Sequence, residues 1–249
     1  MIKVKNFIAT FKRYEKKYML NEELTDKLMP IIEENMLPDA YGKYDLSSVY
    51  FDTDDFALVR NSIEKPVYKE KMRLRSYGIP TENDTVFLEL KKKYNDVVYK
   101  RRADMKLCEA FEYLKTGKYP ESADKQIMNE IDWFIKFYSP SPKAFIAYSR
   151  TAFFGKDDPN FRLTFDRNIR WRGTQLDPSK GDWGTLLIPK ECVLMEVKIS
   201  GAMPMWLSRA LSELKIFPTS FSKYGTCYKD NLLYSDFLPN TASNITEIA

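Results

Sequence analysis

Residues 87–93 read FLELKKK, and their alternation decides how the rest of the chain folds. Side chains at i and i+2 of a β-strand share a face. Glu89, Lys91 and Lys93 therefore lie on one side, and Leu88 and Leu90 on the other. The same grammar extends outward in both directions. Arg13, Glu15 and Lys17 share a face within residues 12–20 (KRYEKKYML), and Arg73 and Arg75 flank Leu74. Arg162, Thr164 and Asp166 alternate with Leu163 and Phe165, and Glu196 and Lys198 alternate with Met195 and Val197. One such strand would be ordinary, because antiparallel sheets commonly keep one face in water. The repetition is not ordinary. Nearly every candidate strand carries Arg or Lys beside a carboxylate, where a merely solvated face would mix in Ser, Thr, Gln and Asn. A sheet that closes with these faces inward is a tunnel lined by cations and a few acids, its apolar faces packed outward on helices.

Strand patterns are predicted at residues 12–20, 47–53, 65–77, 86–93, 96–105, 144–154, 161–172 and 192–200, with Tyr94 and Asn95 at a hairpin turn. Helical patterns intervene. Residues 21–36 start at Asn21 as N-cap and carry Pro30, which predicts a kink or a break. Residues 106–116 end at Gly117, residues 122–137 share an apolar face of Ile127, Ile131, Phe134 and Ile135, and residues 205–216 follow Pro204 in a helix N1 position. Residues 220–234 form a last helix. The expected class is α+β: an eight-stranded, mainly antiparallel β-barrel with helices packed outside. No linker separates residues 1–235, which read as a single domain, and residues 236–249 read as a polar tail.

Composition narrows the chemistry. The chain has 249 residues, is 44% hydrophobic and 14% aromatic, and can build a sizeable core. Its 39 Lys and Arg against 35 Asp and Glu leave a formal charge of only +4, so anion binding must come from where the basic residues sit. There is no histidine, which excludes a Ser-His-Asp triad, a Cys-His dyad and the common His-based zinc sites. Cys108, Cys192 and Cys227 are far apart, show no CxxC, and read as reduced thiols. No apolar run reaches the roughly 20 residues of a membrane span, and no signal-peptide core is seen at the N-terminus. A cytoplasmic location is the expectation.

Such a lining suits a polyanion. Like charges in a low-dielectric interior repel strongly, so crowded Arg and Lys call for a polyanion with its metal, or for much water. Arg offers bidentate contacts to phosphate oxygens and Lys a movable point charge, while interspersed Glu and Asp suit Mg²⁺ or Mn²⁺. Phosphoryl transfer needs positioning and charge stabilisation more than a covalent nucleophile, so the missing histidine is no handicap. Nucleic acid is not expected as a partner, because the residues between the charges are Leu, Met and Val rather than stacking aromatics.

The stretches RYEKKYML, SVYFDT, MRLRSYG, FLELKKK, YSRTAF, FRLTFDR, LMEVKIS and FSKYG, in this order across residues 13–225, resemble the VTC polyphosphate polymerase domain of the triphosphate tunnel metalloenzyme (CYTH-like) superfamily. The resemblance implies an eight-stranded tunnel that moves the γ-phosphate of ATP to a growing polyphosphate. It assigns phosphate contacts to Lys17, Arg73, Arg75, Lys91, Arg150, Arg162, Lys198 and Lys223, assisted by Tyr148 and Ser222. Glu196 is the leading ligand for Mn²⁺ or Mg²⁺, and Glu89 and Glu15 are further candidates. Each of those two could equally orient a neighbouring cation. Lys93 and Lys100 are added as substrate contacts, and Lys92, Lys100, Arg101 and Arg102 read as a basic rim. Lys223 sits in a predicted helix, where exposure is the default.

Two departures stand out. The superfamily's ExExK opening reads Arg13-x-Glu15-x-Lys17 here, which favours the polymerase-like branch, and Ser220 stands where relatives can carry a lysine. The SPX region and membrane segments of eukaryotic VTC proteins are not seen, so inositol-phosphate regulation and coupled translocation are not expected. Spacing leaves three readings open: polymerase, metal-dependent triphosphatase acting on inorganic triphosphate, a nucleoside triphosphate or an RNA 5′ end, and a polyphosphate-binding module without turnover. The oligomeric state is not legible.

Overall fold

The computed structural model describes residues 14–95, 97–121 and 123–233; Arg13 and the tail at 236–249 lie outside them. β1 (Tyr14–Asn21) runs into α1 (Glu22–Asn35), and Asn21 caps that helix by accepting from the Leu24 amide at 2.8 Å. The helix passes through Pro30 without a break. Pro30 and Asp26, whose carbonyl loses its i+4 donor, are both exposed, so water can satisfy the freed group. β2 (Met36–Asp52) follows directly and is far longer than the predicted SSVYFDT segment, with a register shift between Pro38 and Lys43.

α2 (Ala57–Ile63) was not foreseen. Its apolar pattern is too short to register, and its first turn is held from outside: the fully buried Asp52 carboxylate accepts the Leu58 and Val59 amides at 2.9 and 3.0 Å. β3 (Tyr68–Tyr77), β4 (Thr85–Tyr94) and β5 (Val97–Lys106) form a meander, with Asn95 in the left-handed region at the predicted β4–β5 turn. α3 (Leu107–Thr116) ends at Gly117 as predicted, where a φ of 74° needs a glycine. α4 (Lys125–Tyr138) is capped by Asp124 and buries Met128, Ile131 and Phe134.

β6 (Ser141–Gly155), β7 (Arg162–Arg172), the two-residue β8 (Thr185–Leu186) and β9 (Cys192–Ile199) complete the sheet. α5 (Met205–Glu213) takes Pro204 as its N-cap rather than at N1. α6 (Lys223–Cys227) passes into a π-type turn at Tyr228–Leu232, so the predicted last helix is real but shorter and irregular.

The sheet has nine strands, not eight, in the order β1-β9-β7-β6-β2-β3-β4-β5 with β8 beside β7. Every pairing is antiparallel. The expected closure into a barrel does not occur among the described residues: β1 and β5 end the order without pairing. Part of the reason is that the outer edge of β1 is already taken. Pro218 bridges Tyr18, and the Thr219 amide donates to the Lys17 carbonyl at 2.7 Å. The sheet nevertheless curls until side chains meet across the seam, where Lys91 of β4 lies 3.9 Å from Glu15 of β1.

Apolar burial explains the curl. Outer-face residues of β3, β4 and β5, such as Met72, Leu74, Leu88 and Leu90, pack under α3 and α4. Those of β1, β7 and β9, such as Leu20, Leu163, Met195 and Val197, pack under α1 and α5. A third cluster lies inside the curl. Ala144, Ile146 and Leu194 meet Val59 of α2 and Tyr224, Cys227 and Tyr228 of the C-terminal turns. One half of the interior is therefore filled with apolar side chains, and the charged residues share the other half.

Candidate functional site

The open half of the interior is a cavity of about 700 Å³ lined by twelve lysines and arginines against three glutamates. Strand period two puts them there. β3 presents Lys71, Arg73, Arg75 and Tyr77 in successive inward steps, β4 presents Glu89 and Lys91, and β9 presents Glu196 and Lys198. At about 6.7 Å per two residues, the row from Lys71 to the half-exposed Tyr77 spans roughly 20 Å.

The carboxylates divide the cations between them. Glu89, 2% exposed, accepts from Arg73 Nε at 2.8 Å and Arg102 Nε at 2.8 Å, pairs with Lys100 Nζ at 2.7 Å, and has Arg75 at 3.9 Å. On the opposite wall, Arg150 donates to both oxygens of the fully buried Asp166, Nε at 2.6 Å and Nη2 at 2.7 Å. Lys223 Nζ lies 2.5 Å from Asp166 and 3.4 Å from Glu196. Glu196 also has Lys17, Arg150 and Lys198 at 3.5, 3.5 and 3.6 Å. Glu15 sits between Lys17 at 3.4 Å and Lys91 at 3.9 Å.

Electrostatics follows this partition. Burial pushes Glu196 up, but Lys223, Lys17, Lys198 and Arg150 outweigh it and hold the carboxyl well below its usual range. Glu89 is likewise lowered despite burial, chiefly by Arg73, Arg75 and Lys100. Burial would lower Lys223, but Asp166 and Glu196 raise it. Tyr148 resists burial and is lowered by Arg75, Arg150 and Lys223; its hydroxyl accepts from Arg75 at 3.0 Å. Burial lowers Lys100 to about 8 against the pull of Glu89.

All eight predicted phosphate contacts line the cavity, together with Tyr148, Ser222, Lys100 and the three glutamates. Lys93, one inward step beyond Lys91 on β4, is not part of the lining. Of the predicted rim, Arg101 and Arg102 line the cavity, whereas Lys92 faces outward to Glu70 at 3.6 Å and Glu130 at 3.9 Å. Lys223 is 8% exposed rather than a surface lysine. It opens α6 behind the Ser222 cap, and that helix is inserted into the curl rather than laid upon it.

Asp166 was visible on the inward face of FRLTFDR but was not assigned a role; it is the main counter-ion of Arg150 and Lys223. Lys71 was missed, although it stands two residues before Arg73. Tyr44, Tyr50, Tyr77 and Tyr224 also line the cavity. Their patterns look like core, and only the curl of the sheet turns them toward the charges.

The carboxylates bear on metal binding. Among the described residues no group of three or more metal-ligating side chains comes together, so Glu15, Glu89 and Glu196 do not make one site. Glu15 and Glu196 do face each other across Lys17, which pairs with both. Mg²⁺ and Mn²⁺ in phosphate sites are commonly held by one or two carboxylates plus substrate phosphates and water. Glu196 with Glu15 fits that arrangement; Glu89, bound up with its own cations, does not.

The model of the VTC domain family matches residues 12–231 of this chain. The chain belongs to the VTC domain family. No curated protein matches this VTC domain. Among solved structures, it resembles a Bacillus halodurans protein described as a candidate adenylate cyclase, at 15% identity and a TM-score of 0.53, over 86% of this chain and 96% of that one. It also resembles a candidate adenylyl cyclase from Hippeastrum described as having a dominant triphosphatase activity, at 14% identity and a TM-score of 0.50, over 87% and 94% of the two chains. These likenesses show a shared CYTH-like fold. No helix among the described residues is long and apolar enough to cross a membrane.

Proposed function

We propose that this VTC domain is an ATP-dependent polyphosphate polymerase that transfers the γ-phosphate of ATP to the end of a polyphosphate chain. The observation that carries the reading is the imbalance of the lining, twelve cations to three glutamates in a half-enclosed cavity. A linear phosphate chain is a ligand whose charge density and narrow shape answer that imbalance along the length of β3.

Each wall has work to do. Arg73 is already oriented by Glu89, Arg75 by the Tyr148 hydroxyl, and Arg150 by Asp166, so the guanidinium planes are preorganised before phosphate arrives. Lys17, Lys198 and Lys223 surround Glu196 and can shift toward phosphate oxygens as charge develops on the transferred group. Glu196, with Glu15, would hold Mg²⁺ or Mn²⁺, which supplies further neutralisation of the phosphate oxygens when bound. A terminal oxygen of the acceptor chain forms the new P–O bond, the bond to the β-phosphate breaks, and ADP leaves. ATP plus a chain of n phosphates becomes ADP plus a chain of n+1.

The test is incubation of the purified protein with γ-labelled ATP and Mn²⁺, with products resolved on a gel. A label ladder that resists nuclease and is destroyed by exopolyphosphatase is expected. Free phosphate without a ladder would assign a triphosphatase, and binding without turnover a non-catalytic module. Glu196→Gln is expected to cut turnover by at least about 100-fold, as loss of a preorganised electrostatic group does, while phosphate-chain binding changes far less.

A further inference from the structure

Each of the twelve cations of the lining, with one exception, has a carboxylate within 4.0 Å among the described residues. The exception is Lys71. Its ammonium has one described polar partner, the Ser222 hydroxyl at 3.3 Å. Its strongest charged neighbours are all positive: Lys69 and Arg73 on its own strand, Lys91 opposite it on β4, and Lys17 on β1.

Its place in the fold is as unusual as its company. Lys71 is the innermost cavity cation of the β3 row. The next inward residue, Lys69, no longer lines the cavity and donates to the Ser62 carbonyl at the end of α2. Ser222, its partner, caps α6 and accepts the Gly225 amide at 3.1 Å. Lys71 therefore stands where the open half of the interior meets the apolar filling.

We infer that Lys71 is the phosphate-binding residue of the cavity's inner end, and that a phosphate group of the ligand is the counter-ion that none of the described residues provides there. The inference rests on the reading that the cavity takes a linear phosphate chain, and goes beyond it by naming the residue that meets the chain's innermost group. It also makes binding proton-linked. Burial, and then the four neighbouring cations, lower the Lys71 ammonium to about 7 in the free protein. A phosphate beside it reverses the sign of its surroundings and raises it. Above neutrality, ligand binding at this end therefore takes up a proton.

The experiment is calorimetric titration of tripolyphosphate into the wild type, Lys71→Arg and Lys71→Met. Each titration is run at pH 8 and pH 6, in two buffers of different ionisation heat, so that protons exchanged per ligand bound are measured directly. Arginine stays charged at both pH values, and the ligand's own proton exchange is common to all three proteins. At pH 8 the wild type is expected to take up roughly one proton more per ligand than Lys71→Arg, and at pH 6 the difference should vanish. Lys71→Met should bind roughly 10- to 100-fold more weakly, as loss of a charge-assisted hydrogen bond implies, and without ligand should melt no lower than the wild type. Equal proton counts in wild type and Lys71→Arg at pH 8, with both binding, would overturn the assignment of Lys71 and leave the phosphate-chain reading standing. No binding by any of the three would overturn that reading itself, and this inference with it.

Discussion

Glu89→Gln separates two roles that a tunnel carboxylate can play. If Glu89 is a counter-ion, the substitution leaves Arg73, Arg75, Lys100 and Arg102 facing a neutral amide, with no other carboxylate within 4.0 Å among the described residues. Breaking a fully buried pair on one side costs about 3–5 kcal/mol. Here only the carboxylate is fully buried: the side chains of Arg73, Arg102 and Lys100 are 25%, 34% and 43% exposed. Water recovers part of the cost, and about 2–3 kcal/mol is the expected loss. For a domain of this size that is roughly a 4–12 °C fall in Tm, best measured beside a urea titration at low salt. Tripolyphosphate should then restore the variant, because a ligand at 100 times its Kd adds about 2.7 kcal/mol, and its affinity should not fall. A variant that keeps wild-type stability but loses metal-dependent turnover would refute the counter-ion role and make Glu89 a metal ligand.

Two further outcomes follow from geometry and charge. Lys71 and Lys100 are lowered to about 7 and about 8 in the folded chain, against about 10.4 when unfolded. The unfolded state thus binds more protons between pH 7 and 8.5, and urea midpoints of the ligand-free protein should rise with pH across that window. Above about 8.5 the buried Cys227 thiol, raised by burial, works in the opposite direction, and a midpoint that falls between 7 and 8.5 would contradict the lysine assignment. Gly184→Ala should destabilise by roughly 1–3 kcal/mol, because its Cβ would lie 2.5 Å from the Trp171 carbonyl oxygen and 2.8 Å from its carbon. Gly201→Ala, with nothing within 4 Å of the added carbon, is the control, and equal urea midpoints for the two variants would show that the β7–β8 contact can yield.

The inward face was legible because a strand's period is two and the charges keep to it: RLR, ELK and EVK place their side chains without any knowledge of the partner strand. Helix ends were legible for the same local reason, through Asn21 at one N-cap and Gly117 at one C-cap. What escaped is what depends on the third dimension. FSKYG looks like the exposed start of a helix, and nothing in five residues says that the helix is inserted into a curled sheet, with Lys223 against Asp166. Closure was over-read. Alternation specifies two faces but not whether the last strand meets the first, and here Pro218 and Thr219 hold part of the edge that closure would need. α2 escaped because its first amides are satisfied by Asp52, a residue at the end of the preceding strand.

The apolar filling of half the interior has a consequence for polymer length. Tyr50 and Tyr224, stacked with centroids 4.8 Å apart, line the cavity and belong with Val59 and Tyr228 to the apolar cluster inside the curl. A cavity with a floor works as a ruler with a fixed zero. If the ligand is the proposed phosphate chain, only the phosphates between that cluster and the half-exposed Tyr77 reach the cations of β3. Affinity should climb with each added phosphate until the row is filled and then stay level, and under the proposed polymerase activity a growing chain slides outward by one phosphate per addition.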